Sequence, residues 1–155
     1  MLTGSIEAVV QAAAARLPAD QSSLLPLLHA VQEELGYAPD DAVPHIAAAL
    51  NLSRAEVHGV ITFYHDYRRA PPGAHVVKLC RAEACQSRGG AAIEAAMAAR
   101  LGLAMGQTRR DGQVSLEAVY CLGMCATGPN ALIDGRPVSR IDAARVERIA
   151  AAIGA

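Results

Sequence analysis

The chain has 155 residues, of which 52% are hydrophobic and 19% are charged, and this balance excludes the disordered and low-complexity classes. The formal net charge of −1 comes from 14 basic and 15 acidic residues, which disfavours a nucleic-acid-binding protein because that class carries a basic excess. No run of 18 apolar residues is present and the N-terminal stretch lacks a cationic start, so we expect neither a membrane span nor a signal peptide. The expected compartment is the cytoplasm, where four cysteines point to metal or redox chemistry before structural disulfides.

The first 70 residues predict four helices with sharp boundaries. The first predicted helix covers residues 5–16. The second runs from a cap at Ser22 or Ser23 to residue 36, the third from a cap at Asp40 or Asp41 to about residue 51, and the fourth from residue 53 to about residue 64. The last of them begins at a capping box formed by Ser53 and Glu56. Residues 68–73 (RRAPPG) are the clearest break in the sequence. We therefore predict a helical bundle over residues 1–72 and a second domain over residues 73–155.

The second domain alternates strands and helices. Strands are predicted at residues 75–79, 114–120, 131–133 and 136–138, and helices at residues 90–101 and from Asp142 to the C-terminal stripe of Val146, Ile149, Ala150 and Ile153. The last two strands form a hairpin with a type I′ turn at Asp134 and Gly135. In the second strand, alternation predicts that Val114, Leu116, Ala118 and Tyr120 share the buried face. The fold class is therefore α/β, with a helical bundle followed by a β-α-β-β-α domain.

The four cysteines form two pairs, and each pair begins where a predicted strand ends. Cys80 and Cys85 have the spacing C-x4-C, and Cys121 and Cys125 have the spacing C-x3-C. Adjacent strands that leave the same edge of a sheet would bring the two loops together. We expect four thiolates to converge on one site.

Four interpretations of these cysteines compete. Four thiolates can hold a [2Fe–2S] cluster or a structural zinc ion, although zinc sites mostly use the tighter C-x2-C spacing. A dithiol redox pair favours C-x-x-C, which neither spacing matches, and four reduced core cysteines would not need to lie beside polar, glycine-rich loops. From spacing alone the cluster leads zinc by a modest margin.

Residues around the cysteines suit a cluster. Gly123 lies between two cysteines and permits the backbone angles that wrapping an iron atom requires. Arg81 and Arg88 flank the first loop and could offset the cluster's negative charge, or they are ordinary surface arginines. Glu83 lies inside the first loop and would lower the reduction potential.

These loops make the chain similar to a known family, the thioredoxin-like [2Fe–2S] subunits. The family includes the 24-kDa type subunit of respiratory complex I, the diaphorase subunit of NAD-linked hydrogenases, and the gamma subunit of NAD-dependent molybdenum formate dehydrogenases. The similarity covers nearly the whole chain and is carried by residues 60–64 (VITFY), 80–86 (CRAEACQ) and 121–125 (CLGMC). Residues 80–86 and 52–67 look most like formate dehydrogenase gamma subunits.

The resemblance implies a thioredoxin-like domain whose four cluster ligands are Cys80, Cys85, Cys121 and Cys125. It implies a non-catalytic electron-transfer subunit with no substrate site of its own. Its partners would be a flavin- and NAD-binding subunit and, through that subunit, a molybdenum- and iron–sulfur-containing catalytic subunit. The resemblance also implies that FMN, NAD and the molybdenum cofactor belong only to those partners, and no glycine-rich nucleotide fingerprint follows a strand here. A zinc-stabilised interaction module and a catalytic thiol oxidoreductase are the alternatives of other classes.

A few other residues are candidates for roles outside the cysteine loops. His58 and His65 lie seven residues apart on one predicted helix and are better explained as surface or interface residues than as metal ligands. Met97 and Met124 are predicted to be packing residues. Tyr64 and Tyr67 could pack at the junction of the two halves or against a partner.

Overall fold

The structure is a computed structural model that describes residues 5–154. Residues 1–4 and 155, at the outer ends of the two predicted domains, lie outside the described residues. The chain divides into two compact units, one up to Pro71 and one from Pro72. That the two units are separate domains stays a prediction, and each unit is described by itself.

Four α-helices form the first unit. They are α1 (Ile6–Ala14), α2 (Leu24–Leu35), α3 (Val43–Leu50) and α4 (Arg54–Phe63), and two short 3-10 helices, Gln21–Ser23 and Asp40–Ala42, precede α2 and α3. The ends follow the sequence signals: Gly36 and Asn51 adopt the left-handed conformation after α2 and α3. At α4, the hydroxyl of Ser53 accepts the Glu56 N–H and the Glu56 carboxylate accepts the Ser53 N–H, which is the predicted capping box.

The predicted side-chain caps of the second and third helices do not form. Ser23 occupies the N-cap position of α2, as predicted, but without a side-chain hydrogen bond, and neither Asp40 nor Asp41 caps α3. Asp20 instead accepts the Ser22 N–H and caps the first 3-10 turn. Asp40 pairs with Arg69. The reason is that a 3-10 turn precedes each helix, and its backbone carbonyls take the place of the cap side chain.

The core of the first unit is aliphatic and is closed by one tyrosine. Its buried side chains include Val10, Leu27, Leu28, Val31, Ile46, Leu50, Val57 and Ile61. Tyr67 is buried in the same core, and its hydroxyl donates to the Leu25 carbonyl at 3.3 Å. The Gln32 side chain holds the segment after α4 by donating to the Asp66 carbonyl and accepting the Arg68 N–H. Tyr67 therefore packs within its own unit, whereas Tyr64 is 44% exposed.

The second unit is a five-stranded mixed sheet with helices. Its strands are β1 (His75–Cys80), β2 (Gln107–Thr108), β3 (Val114–Val119), β4 (Ala131–Ile133) and β5 (Arg136–Val138), and its helices are α5 (Glu83–Ser87), α6 (Gly90–Leu101) and α7 (Ala143–Ala152). The strand order is β2-β3-β1-β4-β5, and β1 and β3 are parallel while the other pairs are antiparallel. The predicted α/β class is confirmed, although β2 and α5 are absent from the predicted β-α-β-β-α order because both are too short to show periodicity.

Buried aliphatic side chains from the sheet and from α6 and α7 form the second core. The core includes Val77, Leu79, Met97, Leu101, Val114, Leu116, Val146, Ile149, Ala150 and Ile153. Met97 is fully buried, as predicted for a packing residue. The predicted alternation is wrong at Tyr120, which follows the last residue of β3 and is 70% exposed. Ser115, on the predicted polar face, is buried because its hydroxyl accepts the Gly73 N–H and bonds Thr108.

The hairpin has the predicted turn. Asp134 and Gly135 have φ angles of 49° and 77°, as a type I′ turn requires. The Asp134 carboxylate accepts the Val76 N–H at 2.7 Å and bonds the His75 ring at 2.8 Å. Among residues 5–154, no helix is long and apolar enough to cross a membrane.

Candidate metal centre

The register of two parallel strands brings the cysteine loops together. Cys80, the last residue of β1, pairs with Val119, the last residue of β3. The Arg81 N–H then donates to the Val119 carbonyl at 2.8 Å. Both loops therefore leave the same edge of the sheet, one beginning at Cys80 and the other at Cys121.

The first loop folds into a short helix that buries its second cysteine. Cys85 lies in α5 and is 1% exposed, and Cys80 is 5% exposed. Two glycines fit closely around Cys85. A Cβ added at Gly90 would lie 2.7 Å from the Cys85 carbonyl oxygen, and one at Gly128 would lie 3.3 Å from the Cys85 Sγ.

The second loop turns sharply and keeps its cysteines at the surface. Cys121 has a φ of 75° and Gly123 a φ of 78°. Cys125 begins a 3-10 helix, Cys125–Thr127. The Sγ atoms of Cys121 and Cys125 are 3.8 Å apart, and both residues are exposed. The predicted role of Gly123 as a turning point between two cysteines fits this backbone.

Backbone N–H groups from both loops favour the thiolate of Cys80. Burial alone would raise the pKa of this thiol, but the hydrogen bonds that its sulfur accepts outweigh burial and hold the pKa below its usual value. The donors are the N–H groups of Ala82, Cys121 and Leu122 and the Cys85 thiol. The Cys80 sulfur is therefore the point at which the two loops meet.

The pKa values of Cys85 and Cys125 shift in the opposite direction. Burial and the hydrogen bond to Cys80 raise the pKa of Cys85. The hydrogen bond with Cys121 and the charge of that group raise the pKa of Cys125. The charge of Cys80 also contributes to raising the pKa of Cys85 and of Cys125.

The donor set fits a two-metal centre. Two thiolates on one tetrahedral metal, with bonds of about 2.3 Å, lie about 3.8 Å apart, which is the separation of the Cys121 and Cys125 sulfurs. Hydrogen bonding between Cys80 and Cys85 lowers the pKa of Cys80 and raises that of Cys85, and the charge of Cys80 raises the pKa of Cys125. The arrangement is thus two neighbouring pairs of soft sulfur donors. In the part of the chain that the structure describes, no three Cys, His, Asp or Glu side chains form a group for a single metal ion.

One residue of the site was absent from the sequence prediction. Asn130 is 3% exposed and lies just before β4. Its side-chain amide donates to the Met124 carbonyl and lies 3.6 Å from the Cys85 Sγ. The only signal in the sequence is a polar residue placed between a Gly-Pro turn and an apolar strand.

The charged residues near the first loop have separate partners. Arg81 forms a 3.0 Å ion pair with Glu94 of α6, so its charge is shared with a carboxylate. Arg88 follows α5, and its aliphatic stem approaches Gly128. Glu83 begins α5 and is exposed. That the two arginines offset the negative charge of a cluster, and that the glutamate lowers its reduction potential, stay predictions.

The histidine pair is not on one helix. α4 ends at Phe63, so His58 lies on the helix and His65 lies beyond it, and both are exposed. The predicted shared face is wrong because the helix stops two residues before His65. Met124 is half-buried and contributes its carbonyl oxygen to the site.

Comparison with known proteins identifies the same family that the cysteine loops indicate. The sequence model of the thioredoxin-like [2Fe-2S] ferredoxin family matches residues 10–154. One subunit of the NADH-quinone oxidoreductase of Escherichia coli strain K12 is 40% identical over 107 residues, which cover 69% of this chain and 64% of the relative. The corresponding subunit of Rhizobium meliloti strain 1021 is 31% identical over 140 residues, which cover 90% of this chain and 83% of that protein.

A solved structure has the same fold. A chain of an NAD+-reducing [NiFe]-hydrogenase in the air-oxidised state superposes with a TM-score of 0.73 at 28% identity, over 85% of this chain and 23% of the hydrogenase chain. The predicted thioredoxin-like fold is therefore confirmed. Because the matched region includes both cysteine pairs, this chain belongs to the thioredoxin-like [2Fe–2S] ferredoxin family.

Proposed function

We propose that this chain is a one-electron carrier that binds a [2Fe–2S] cluster through Cys80, Cys85, Cys121 and Cys125. The observation that supports the proposal most directly is that both cysteine pairs begin where two adjacent parallel strands end. The sulfurs of Cys121 and Cys125 lie 3.8 Å apart, a distance at which both can bind one metal ion. When bound, such a cluster accepts and returns one electron at a time.

The chain's own residues would hold the cluster and set its surroundings. Cys80 and Cys85 form a buried pair on one side, while Cys121 and Cys125 form an exposed pair on the other. The N–H groups that face Cys80 stabilise negative charge on sulfur, as an anionic centre requires. The exposed loop is the part of the site that a redox partner could approach.

The chain would act within a larger assembly. The proposed partner is a flavin- and NAD-binding subunit, and the proposed overall reaction is electron flow from formate to NAD through a molybdenum- and iron–sulfur-containing catalytic subunit. The similarity of residues 80–86 and 52–67 to formate dehydrogenase gamma subunits supports this choice. No substrate site is proposed in this chain.

A second candidate is the matching subunit of a respiratory NADH-quinone oxidoreductase or of an NAD-linked hydrogenase. The relatives at 40% and 31% identity are named as subunits of the former, and the solved structure is one of the latter. This chain spans 64% of the length of the Escherichia coli relative and 23% of the hydrogenase chain.

Co-expression with the genes that neighbour it distinguishes these candidates. A tagged chain should co-purify with an FMN-containing subunit, and the purified complex should reduce NAD+ with formate. NAD+ reduction with hydrogen, or quinone reduction with NADH, would instead assign the second candidate. A chain that binds none of the co-expressed flavoproteins would contradict the proposed role as a subunit.

A further inference from the structure

A cavity of about 540 Å³ lies between the β4–β5 hairpin and helix α7 of the second unit. His75, the first residue of β1, is among the residues that line it. Cys80 is the last residue of the same strand, so roughly 17 Å of extended chain separates the two. The cavity is therefore distinct from the candidate metal centre.

One wall of the cavity is apolar. The hairpin strands contribute Ile133 and Val138, and α7 contributes Ile149, Ala152 and Ile153. Ile149 and Ile153 are 8% and 6% exposed, so the outer surface of the second core forms part of this wall. A concave apolar surface of this kind favours a ligand with a hydrocarbon body.

The other wall is cationic. Arg145 and Arg148 lie three residues apart on α7 and therefore point to one side of the helix, and Arg136 follows the hairpin turn. The carboxylate among the described lining residues is that of Asp134, which accepts the Val76 N–H and bonds the His75 ring. Three guanidinium groups thus share the cavity with one carboxylate that already has partners.

These three arginines differ from others in the same unit. Arg81, Arg100 and Arg109 each form an ion pair with a carboxylate at 2.9 or 3.0 Å. Among residues 5–154, no carboxylate lies within ion-pair distance of the three arginines of the cavity. Arg145 donates from Nη1 to the Ser139 carbonyl oxygen at 2.9 Å, a bond that orients its guanidinium group without neutralising the charge. The cavity therefore has an excess of positive charge beside its apolar wall.

We propose that this cavity binds a small organic anion, whose carboxylate or phosphate head contacts the arginines and whose hydrocarbon body packs on the apolar wall. A guanidinium group presents its N–H donors in one plane, and this geometry matches the oxygens of either head group. Small-molecule sites have volumes of about 300–1,000 Å³ and combine apolar walls with a few polar groups, as this cavity does. Binding there requires no cluster, so it is independent of the proposed function.

The first test measures binding of defined probes to the full chain by isothermal titration calorimetry. Octanoate and octyl phosphate combine an anionic head with a hydrocarbon chain, whereas acetate has the head alone and octylammonium has the chain with the opposite charge. We expect octanoate and octyl phosphate to bind at least about tenfold more tightly than acetate or octylammonium. Added salt should weaken their binding, because it screens the guanidinium groups.

The second test removes one charge at a time. Arg145→Gln and Arg148→Gln keep a long polar side chain, and each should weaken octanoate binding by about threefold to tenfold. The matched control is Arg110→Gln, which removes the charge of an exposed arginine in the turn before β3, outside the cavity. This control should keep the wild-type affinity.

The third test locates the probe in the wild-type chain. Three of the eight isoleucines, Ile133, Ile149 and Ile153, line the cavity, whereas Ile46 and Ile61 belong to the core of the first unit. In NMR spectra of protein with ¹³C-labelled isoleucine methyl groups, octanoate should shift the signals of the cavity isoleucines. The signals of Ile46 and Ile61 should not move.

Each alternative has its own signature. Equal affinities for octanoate and octylammonium would show that the apolar wall binds without the arginines, and equal affinities for octanoate and acetate would show a bare anion site; either result would overturn the proposal. The proposal would also fail if Arg110→Gln weakened binding as much as Arg148→Gln, or if octanoate left the cavity isoleucines unshifted.

Discussion

Cys80 and Val119 are paired in register as the last residues of the two parallel strands β1 and β3. This pairing places the start of both cysteine loops at one level of the sheet edge. A slip of one residue would turn Cys80 to the opposite face of the sheet, because side chains alternate along a strand. The proposed centre therefore depends on the hydrophobic register of the sheet as well as on the four thiols.

Gly90→Ala should destabilise the first loop. The added Cβ would lie 2.7 Å from the Cys85 carbonyl oxygen, so α5 or the start of α6 must shift. We expect a loss of about 1–3 kcal/mol in the free energy of unfolding and reduced iron retention, measured by chemical denaturation and metal analysis. Gly59→Ala is the control: its Cβ meets no atom within 4 Å in helix α4, and it should stabilise by about 0.5–1 kcal/mol. Equal effects of the two substitutions would contradict the packing argument.

Ser53→Ala should weaken the first unit at neutral pH. The substitution removes the hydroxyl of the capping box and should lower the free energy of unfolding by about 1 kcal/mol. Ser53→Thr keeps a hydroxyl at this position and should retain most of the wild-type stability. Hydrogen bonds from Ser53 hold the pKa of Glu56 below its usual value. A lowered carboxyl pKa stabilises the fold above the unfolded-state pKa, and this contribution is lost as the pH falls through the folded-state pKa. The difference between wild type and Ser53→Ala should therefore shrink in acid; a constant difference would argue against the capping box.

Asp134→Asn should separate the charge of the hairpin turn from its geometry. Burial alone would raise the pKa of Asp134, but hydrogen bonds from His75 and the Val76 N–H outweigh it and lower that pKa. Asparagine also tolerates the positive φ of this position and keeps one oxygen to accept the Val76 N–H, so the charge and the second oxygen, which bonds the His75 ring, are lost. We expect a destabilisation of less than about 1 kcal/mol at pH 7, since the pair is partly exposed. Urea titrations should show this difference in stability disappearing as the pH falls below the usual aspartate pKa of about 3.9. A larger loss of stability in acid than at pH 7 would contradict a lowered pKa of Asp134.

Met97→Ala should be the most damaging of these substitutions. Met97 is fully buried among the side chains of the second core, and removing its side chain should cost about 2–5 kcal/mol. Met97→Leu conserves the volume and should cost less than about 1.5 kcal/mol. Thermal unfolding followed by far-UV circular dichroism measures both. Similar melting temperatures for Met97→Ala and wild type would show that this position does not support the core.

Local signals in the sequence predicted much of the fold. Gly36, the Ser53–Glu56 box and the Asp134–Gly135 turn each determine their conformation within a few residues, and the structure shows all three as predicted. The cysteine pairs were informative because each follows a strand end, and adjacent strand ends meet at one sheet edge.

The features that were missed depend on distant contacts or very short elements. Asn130 bonds the Cys85 sulfur across 45 positions in the chain, and no local pattern indicates such a contact. Ser115 is buried on the predicted polar face because the Gly73 N–H, 42 residues away, finds its hydroxyl there. Tyr120 continued an alternating pattern past the last paired residue of β3, where the turn into Cys121 begins.

The most direct test of the central claim is metal and sulfide analysis of the anaerobically purified chain, together with EPR of its reduced form. The four cysteines predict about two irons and two acid-labile sulfides per chain and an EPR signal on reduction. Cys125→Ser should change that signal. One zinc and no iron in the same material would contradict the account, and it would assign the cysteines to a zinc-stabilised interaction module instead.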